Sequence, residues 1–383
     1  MQYKKLEEIV DIINGFPCKK EMYTYNNNSI PIVRIQNMTD VNTEFVYYAG
    51  EFDSTSIINN GDLLFSLSGT IKPYIWSHQS NVLLNQRIVK IVPKKEERIN
   101  KKFLYYYLLN NVEYISSKGN KCIINNVSIT TLKNMQVPIF SIDKQNKIVQ
   151  QLDEIISMKK NRKCSYDFLE NLKYSLYVDF INDSKINFKK IKFSSCLCEI
   201  TKGPFGSDIK KSLYVPKSET TYKVYVQKNI LQSDAKLGEY YISEEYFNKK
   251  MYKYELKPLD YIVTCDGTLG KIMQLGENME KGIISASLLK IRLNNNIINN
   301  KYFELLWNYE ILNELTKDIR NACLNHLPSA KVIGNLEISI PGLESQTKFG
   351  EKINKIDKMI EVIENELNFI NSLFLSKLMQ YFK

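Results

Sequence analysis

Two histidines in 383 residues leave little material for acid–base chemistry by imidazole. The seven cysteines (Cys18, Cys122, Cys164, Cys196, Cys198, Cys265 and Cys323) form no CxxC pair, and only His78 and His326 could join them as metal ligands, so no metal site is expected. Scattered and odd in number, they read as reduced thiols in a reducing compartment. HEXXH, a nucleophile elbow and a GxxxxGK loop followed by Ser or Thr are all missing. No Pro-Pro pair occurs either, which excludes the Asn/Asp-Pro-Pro-aromatic motif of a self-contained DNA methyltransferase. There is no run of about 18 uncharged apolar residues, and the first ten residues carry Lys4, Lys5, Glu7 and Glu8. Neither a membrane span nor a secretory signal is visible, so a cytoplasmic location is expected.

Against these absences stand a 44% hydrophobic and an 11% aromatic content, which are globular values. The length suits two domains of about 100 to 150 residues with connecting elements. The clearest order is a seam of apolar or long side chains at Ile148, Leu152, Ile155, Lys159, Arg162, Tyr166, Leu169, Lys173, Leu176 and Phe180. Its steps alternate four and three, the spacing of a heptad helix. Shifted by 201, the seam returns as Phe349, Ile353, Ile356, Ile360, Ile363, Leu367, Ile370, Phe374, Lys377 and Tyr381. Two long helices are predicted, and a helix with a mostly apolar seam needs a partner. Its own repeat is the nearest one, the alternative being two unrelated helices each packed on its local domain.

The charge repeats as well. Residues 1–185 carry 24 Lys and Arg against 19 Asp and Glu, and the remainder 28 against 23, so each half contributes equally to the formal +10. Two equivalent surfaces facing an anionic partner would explain this, with nucleic acid the first candidate. A Lys-, Asn- and Ile-rich composition drawn from an AT-rich genome would explain it too.

Local segments recur in the same order. Strands are expected at residues 30–35 and 222–226, each followed by a polar loop. Residues 62–72 (DLLFSLSGTIK) then align with 260–271 (DYIVTCDGTLGK), an apolar strand ending in hydroxyl-bearing residues, a glycine and a lysine. Such a loop lets backbone approach a ligand and offers N–H, O–H and ammonium donors to an anion. A tight strand turn is the plainer reading. Asn85-Gln86-Arg87 precedes the next strand in the first half and Ser285-Ala286-Ser287 in the second. Asn, Gln and Arg are suited to paired hydrogen bonds with purine edges. Amphipathic helices follow at 102–115 and 301–315, then donor-rich loops at 116–121 and 320–326. A last strand ends at Pro138 or Pro341 and enters the long helix past Gln145 or Gln346.

Taken together, the paired strand-Gly-Thr segments, the Gly203-Pro204-Phe205-Gly206-Ser207 opening, Asn85-Gln86-Arg87 and the Pro-to-Gln helix entries resemble the DNA-specificity (S) subunit of type I restriction-modification systems over essentially the whole chain. The second half departs from the pattern, with Ser285-Ala286-Ser287 where the first has Asn-Gln-Arg. The resemblance implies a non-catalytic, DNA-binding chain of α+β class: two pseudo-repeated mixed α/β target recognition domains separated by two long helices that form an antiparallel coiled coil. The expected boundaries are 1–141 for the first domain, 142–185 for the central spacer helix, 186–341 for the second domain and 342–383 for the C-terminal helix.

It further implies double-stranded DNA, two methyltransferase subunits and motor-nuclease restriction subunits as partners. DNA methylation would use S-adenosylmethionine on the methyltransferase, with no cofactor on this chain. A helix of about 40 residues spans about 60 Å, somewhat under two turns of B-DNA, so a split asymmetric target with an unread gap is expected. The candidate DNA-binding residues are Ser66, Ser68, Thr70, Lys72, Asn85, Gln86, Arg87, Lys118 and Lys121 in the first half. In the second they are Ser207, Thr264, Asp266, Thr268, Lys271, Ser285, Ser287, Arg320, Asn325 and His326. A coiled-coil scaffold with two protein-binding domains would share the helices without needing duplicated donor-rich loops.

Overall fold

The computed structural model describes residues 2–40, 43–117, 126–322 and 326–382, with the side chains of 318–322 outside that description. Two compact units emerge, one of residues 1–165 with 363–383 and the other of 166–362. Each unit therefore takes part of both long helices, Ile142–Ile181 and Leu343–Phe382.

Unit 1 contains an antiparallel sheet with strand order Val10–Asn14, Ile88–Pro93, Leu63–Ser66 and Pro73–Ile75. A second sheet runs Tyr23–Thr24, Val46–Tyr48, Ile30–Val33, Val82–Leu84 and Ile57–Ile58, with one parallel pair at its third and fourth strands. A ribbon of Gln2–Lys5 with Gln136–Ile139 closes the unit. Unit 2 repeats the plan. Leu197–Lys202, Leu288–Leu293, Tyr261–Thr264 and Ile272–Gln274 form its antiparallel sheet. Tyr222–Tyr225 pairs in parallel with Gly282–Ile284, and Phe188–Lys192 with Glu337–Pro341 makes the ribbon.

Two short segments read above as polar loops are helices, Ile35–Thr39 and Gln227–Leu231. A buried asparagine explains each. Asn37 Oδ1 accepts from Arg34 N at 3.0 Å and Asn229 Oδ1 from Val226 N at 2.9 Å, satisfying backbone at the helix start, while both side-chain amides donate to loop carbonyls beyond the helix. The helix expected over 301–315 is interrupted by a π turn, Trp307–Ile311. Trp307 is fully buried there, and its Nε1 donates to the Gly270 carbonyl at 2.9 Å.

One buried glutamine per unit joins the globular part to the long helix. Gln145 donates through Nε2 to the carbonyls of Arg98 and Phe140, both at 2.9 Å, and accepts from Asn100 N at 2.9 Å. Gln346 makes the same three bonds, to Ile297 at 3.0 Å and Pro341 at 2.8 Å and from Asn299 N at 2.8 Å. Asn100 and Asn299 are themselves N-caps, each accepting two backbone N–H groups of the amphipathic helix. The glutamine thus serves three elements at once.

Within each unit the two helix segments run antiparallel. In unit 1, Arg162 pairs with Glu366 at 2.8 Å and Tyr381 donates to Gln151. In unit 2, Lys173 pairs with Asp357 at 2.8 Å, and the rings of Phe180 and Phe349 stack at 4.1 Å. Burial would raise the Asp357 carboxyl, but hydrogen bonds from Lys173 and Lys301 hold it below the ordinary carboxylate range. Two of the polar seam positions therefore bridge the helices.

Ile148, Leu152, Ile155 and Leu169 are buried, as are Phe349, Ile353, Ile356, Ile360, Ile363 and Ile370, while Leu176, Leu367 and Phe374 are half-buried. Toward the C-terminal end of each helix the buried face moves by one residue, to Tyr177 in place of Leu176 and to Leu378 and Phe382 in place of Lys377 and Tyr381. The reason is packing against a globular domain as well as a helix. Phe382 meets Phe103 at 5.2 Å and Tyr107 at 5.9 Å in unit 1, and Tyr177 meets Tyr309 at 5.3 Å in unit 2. Steps of four replace the four–three alternation there, because a straight helix drifts away from a 3.5-residue repeat.

Gln346→Leu keeps the volume but strands the Asn299 N–H and two carbonyls in the interior. At about 1–3 kcal/mol for an unsatisfied buried group, a loss of roughly 2–4 kcal/mol is expected. A urea midpoint within error of wild type would show that the clamp is dispensable.

Candidate nucleic-acid interface

Each unit builds one platform from three backbone segments. Strand Leu63–Ser66 ends in a turn closed by its own serine: Ser66 Oγ donates to the Thr70 carbonyl at 2.6 Å and accepts from Lys72 N at 2.9 Å. Thr264 does the same in unit 2, donating to the Thr268 carbonyl and accepting from Lys271 N at 3.0 Å. Ser66 and Thr264 are fully buried. Their hydroxyls hold the turn, which corrects the expectation that they face DNA. Gly69 and Gly267 lie inside these turns at φ +65° and +66°, a left-handed conformation that side chains disfavour.

Within the turn, Leu67 N donates to the Arg87 carbonyl at 2.9 Å and Val127 N to the Leu67 carbonyl at 2.8 Å. Cys265 stands in the middle of the corresponding trio, with Cys265 N on the Ser287 carbonyl and Leu327 N on the Cys265 carbonyl, both at 2.8 Å. A fourth strand backs the platform at a glycine. A Cβ on Gly15 would sit 2.0 Å from the Asn85 carbonyl oxygen, and one on Gly203 would sit 1.9 Å from that of Ser285. Only hydrogen fits at either place.

In unit 1 this brings Ser68, Gln86, Arg87 and Asn126 around a shallow hollow of about 330 Å³. Gln86, Arg87 and Asn126 are exposed, Ser68 is buried, and Asn85 Oδ1 accepts from Arg87 N at 3.2 Å, shaping the turn. Thr70 is exposed and Lys72 half-buried on the neighbouring loop. In unit 2, Asp266 bridges to His326 through backbone, Gln227 Nε2 donates to the Asp266 carbonyl at 3.0 Å, and the hydroxyls of Ser285 and Ser287 lie 3.4 Å apart. Ser285 is buried, whereas Thr268, Lys271, Ser207 and His326 are exposed. Lys118, Lys121 and Asn325 lie outside the described residues, as does the side chain of Arg320.

Asn126 and Gln227 escaped the reading of the sequence. The signal for them was only positional: Asn126 aligns with His326 on the platform, and Gln227 opens a helix at the place that Ile35 holds in its counterpart. Burial pushes the Cys265 thiol up to about 12, so beside Asp266 it is an inert packing residue. No group of three metal-ligating side chains gathers among the described residues.

The two platforms share a frame and differ in what they present. An amide and a guanidinium occupy the first, suited to adenine and guanine edges; a carboxylate, hydroxyls and an imidazole occupy the second, and a carboxylate can accept from the cytosine amino group. Two such repeats, each feeding a long helix, make a duplicated architecture of two platform-bearing units. Residues 1–165 match the family model for the Type I restriction modification DNA specificity domain. Among curated proteins, the chain is 26% identical over 158 residues to the type I restriction enzyme EcoBI specificity subunit of Escherichia coli, covering 41% of this chain and 33% of that protein. It is 24% identical over 208 residues to the MjaVIII specificity subunit of Methanocaldococcus jannaschii, covering 49% of this chain and 47% of the other. These matches therefore span less than half of either relative.

Among solved structures, the type I restriction-modification S subunit from M. genitalium superposes with a TM-score of 0.55 at 14% identity, over 98% of this chain and 95% of that one. A chain from a type I restriction-modification assembly gives 0.58 at 13% identity, over 100% and 97%. Both show the fold. Residues 1–165 are thus similar to the type I restriction modification DNA specificity domain, and the whole chain shares the fold of the solved S subunit.

Gly203→Ala forces a Cβ into the Ser285 carbonyl and displaces the 285–287 turn. A cost of about 1–3 kcal/mol is expected in thermal unfolding. Gly206→Ala, with nothing within 4 Å of its added Cβ, is the control and should be near neutral. Equal melting of the two variants would refute the close approach.

Proposed function

We propose that this chain is the sequence-reading subunit of a type I restriction-modification complex, each unit recognising one half of a split, asymmetric target in double-stranded DNA. The observation that carries this is the duplicated three-segment platform, identical in backbone plan and different in exposed side chains. Lys and Arg contacts to phosphates supply salt-dependent affinity, and the platform side chains select bases. The proposed DNA-binding set keeps Ser68, Thr70, Lys72, Asn85, Gln86, Arg87, Ser207, Asp266, Thr268, Lys271, Ser285, Ser287 and His326, with Ser66 and Thr264 holding their turns. Lys118, Lys121, Arg320 and Asn325 remain candidates from the sequence. The long helices set the gap between half-sites. The chain itself is read as non-catalytic and without a cofactor, S-adenosylmethionine being used by the partner methyltransferase, and as cytoplasmic. Among the described residues no helix is long and apolar enough to cross a membrane.

Partner docking has its own support. Met158, Phe168 and Tyr174 on the central helix are exposed, and so are Met359, Phe369 and Leu375, each 201 residues later. Phe168 and Phe369 are 65% and 68% exposed, and it is the grouping of such residues rather than any one of them that marks an interaction surface. The ion-pair registers bring Met158 level with Phe369 in unit 1, and Met359 level with the interval between Phe168 and Tyr174 in unit 2. The same apolar set thus recurs once per unit, as docking of two copies of one methyltransferase subunit requires. Motor-nuclease restriction subunits are proposed to join that core.

Methylome sequencing of cells expressing the chain with its cognate methyltransferase should show one bipartite motif with unlike halves. Inserting seven residues into the central helix should lengthen the gap and leave the bases unchanged. Altered bases with an unchanged gap would sink the spacer role, and the absence of any motif would sink the reading as a whole. For docking, Phe168→Glu or Phe369→Glu should each cost one methyltransferase copy in native mass measurements, and both together should cost two. Unchanged stoichiometry would reject these residues as the docking set.

A further inference from the structure

Phe205 is 81% exposed, at the tip of a loop that is tied down on both sides. On the upstream side Gly203 N donates to the Leu288 carbonyl at 2.8 Å, Gly203 abuts the Ser285 carbonyl, and Pro204 is buried. On the downstream side the Asp208 carbonyl accepts from Tyr246 Oη at 2.7 Å, its carboxylate pairs with Lys250 at 2.7 Å, and Ile209 is buried in the unit 2 core. With Pro204 and Ile209 anchored, the short span between them has little freedom to fold the ring inward. The ring is held out in water.

Its surroundings are basic. Lys202 precedes the loop and Lys210 and Lys211 follow it, the latter two exposed. The platform turn at 285–287 is reached within two residues, through Gly203. A preorganised phenyl ring between lysines, beside a base-reading turn, complements a polyanion whose interior is a stack of aromatic rings. The geometry points to Phe205 as a wedge that inserts between adjacent base pairs at the edge of the half-site read by unit 2, with Lys210 and Lys211 on flanking phosphates. The wedge rests on the DNA-reading function proposed above and adds a second mode of recognition. Opening a base step is easiest at flexible pyrimidine–purine steps, so Phe205 selects for deformability where the turn selects for base edges.

At the aligned position unit 1 holds its ring inward. After Gly15 comes Phe16, half-buried and edge-on to Tyr48 at 5.7 Å, followed by Pro17 and Cys18. The wedge is therefore assigned to the half-site of unit 2.

The test uses the full chain with its methyltransferase partner on a duplex carrying the methylated motif, with 2-aminopurine placed in turn at each step of both half-sites. Wild type should raise the fluorescence several-fold at one step of one half-site. Phe205→Ala should abolish that rise and weaken binding by roughly tenfold or more, with an unchanged salt slope, while Phe205→Trp keeps the signal. Lys210→Ala with Lys211→Ala should lower the salt slope and, at saturating protein, keep the signal. Salt-dependent binding by wild type with no fluorescent step, a rise in both half-sites, or a rise that survives Phe205→Ala would overturn the wedge alone. Failure of wild type to bind any duplex in a salt-dependent way would overturn the DNA-reading function and the wedge with it.

Discussion

A single buried amide in each unit decides how a long helix leaves its domain. Gln145 and Gln346 each join the start of the long helix, the carbonyl at the end of the ribbon strand and the approach to the amphipathic helix, through three hydrogen bonds of 2.8–3.0 Å. Those backbone groups sit at chain ends and turns, where regular structure offers no partner and water is excluded. An amide, with an acceptor and a two-hydrogen donor on one planar group, can serve all three. The helix then departs in a direction that lets Ile148 and Leu152, or Phe349 and Ile353, reach the interior.

From that junction the two units keep what closes the backbone and change what faces outward. Turn-closing hydroxyls at Ser66 and Thr264, left-handed glycines at Gly69 and Gly267, and backbone contacts at Gly15 and Gly203 recur almost unchanged. Gln86 and Arg87 in one unit give way to Ala286 and Ser287 in the other. Frame positions are constrained by close packing and by the cost of an unpaired buried group, whereas exposed platform positions are free to vary. Phe205 extends the contrast, since its loop is built like a frame element and carries a ring that the fold itself does not use.

Much of the architecture was legible as repetition. The 201-residue offset, the paired strand-turn segments and the matched helix entries needed no structure to be seen. Individual roles were less legible. Ser66 looks like a ligand donor because serine at the end of a strand is chemically suited to an anion, yet its hydroxyl closes its own turn. Gln36–Thr39 looks like a loop because its residues are polar, yet Asn37 is buried and caps a helix. Both cases turn on where a polar side chain points, and a short window of sequence does not encode that. The seam was readable along most of each helix; it lapses at Lys159 and Arg162, which are exposed, and shifts where Tyr177 and Phe382 turn onto globular partners.

Composition and periodicity alone establish two mixed α/β repeats, two long helices, a balanced basic excess and a chain with only two histidines. These follow from spacing, which local chemistry and helix geometry impose directly. Only the tertiary structure decided which donors are consumed by the fold, that Lys173 bridges to Asp357 across the helix pair, and that Phe205 is held out into solvent between anchored residues. Such outcomes depend on contacts between residues far apart in the chain. Pairing, burial and anchoring are settled by what packs nearby, and no stretch of sequence carries its distant neighbours within it.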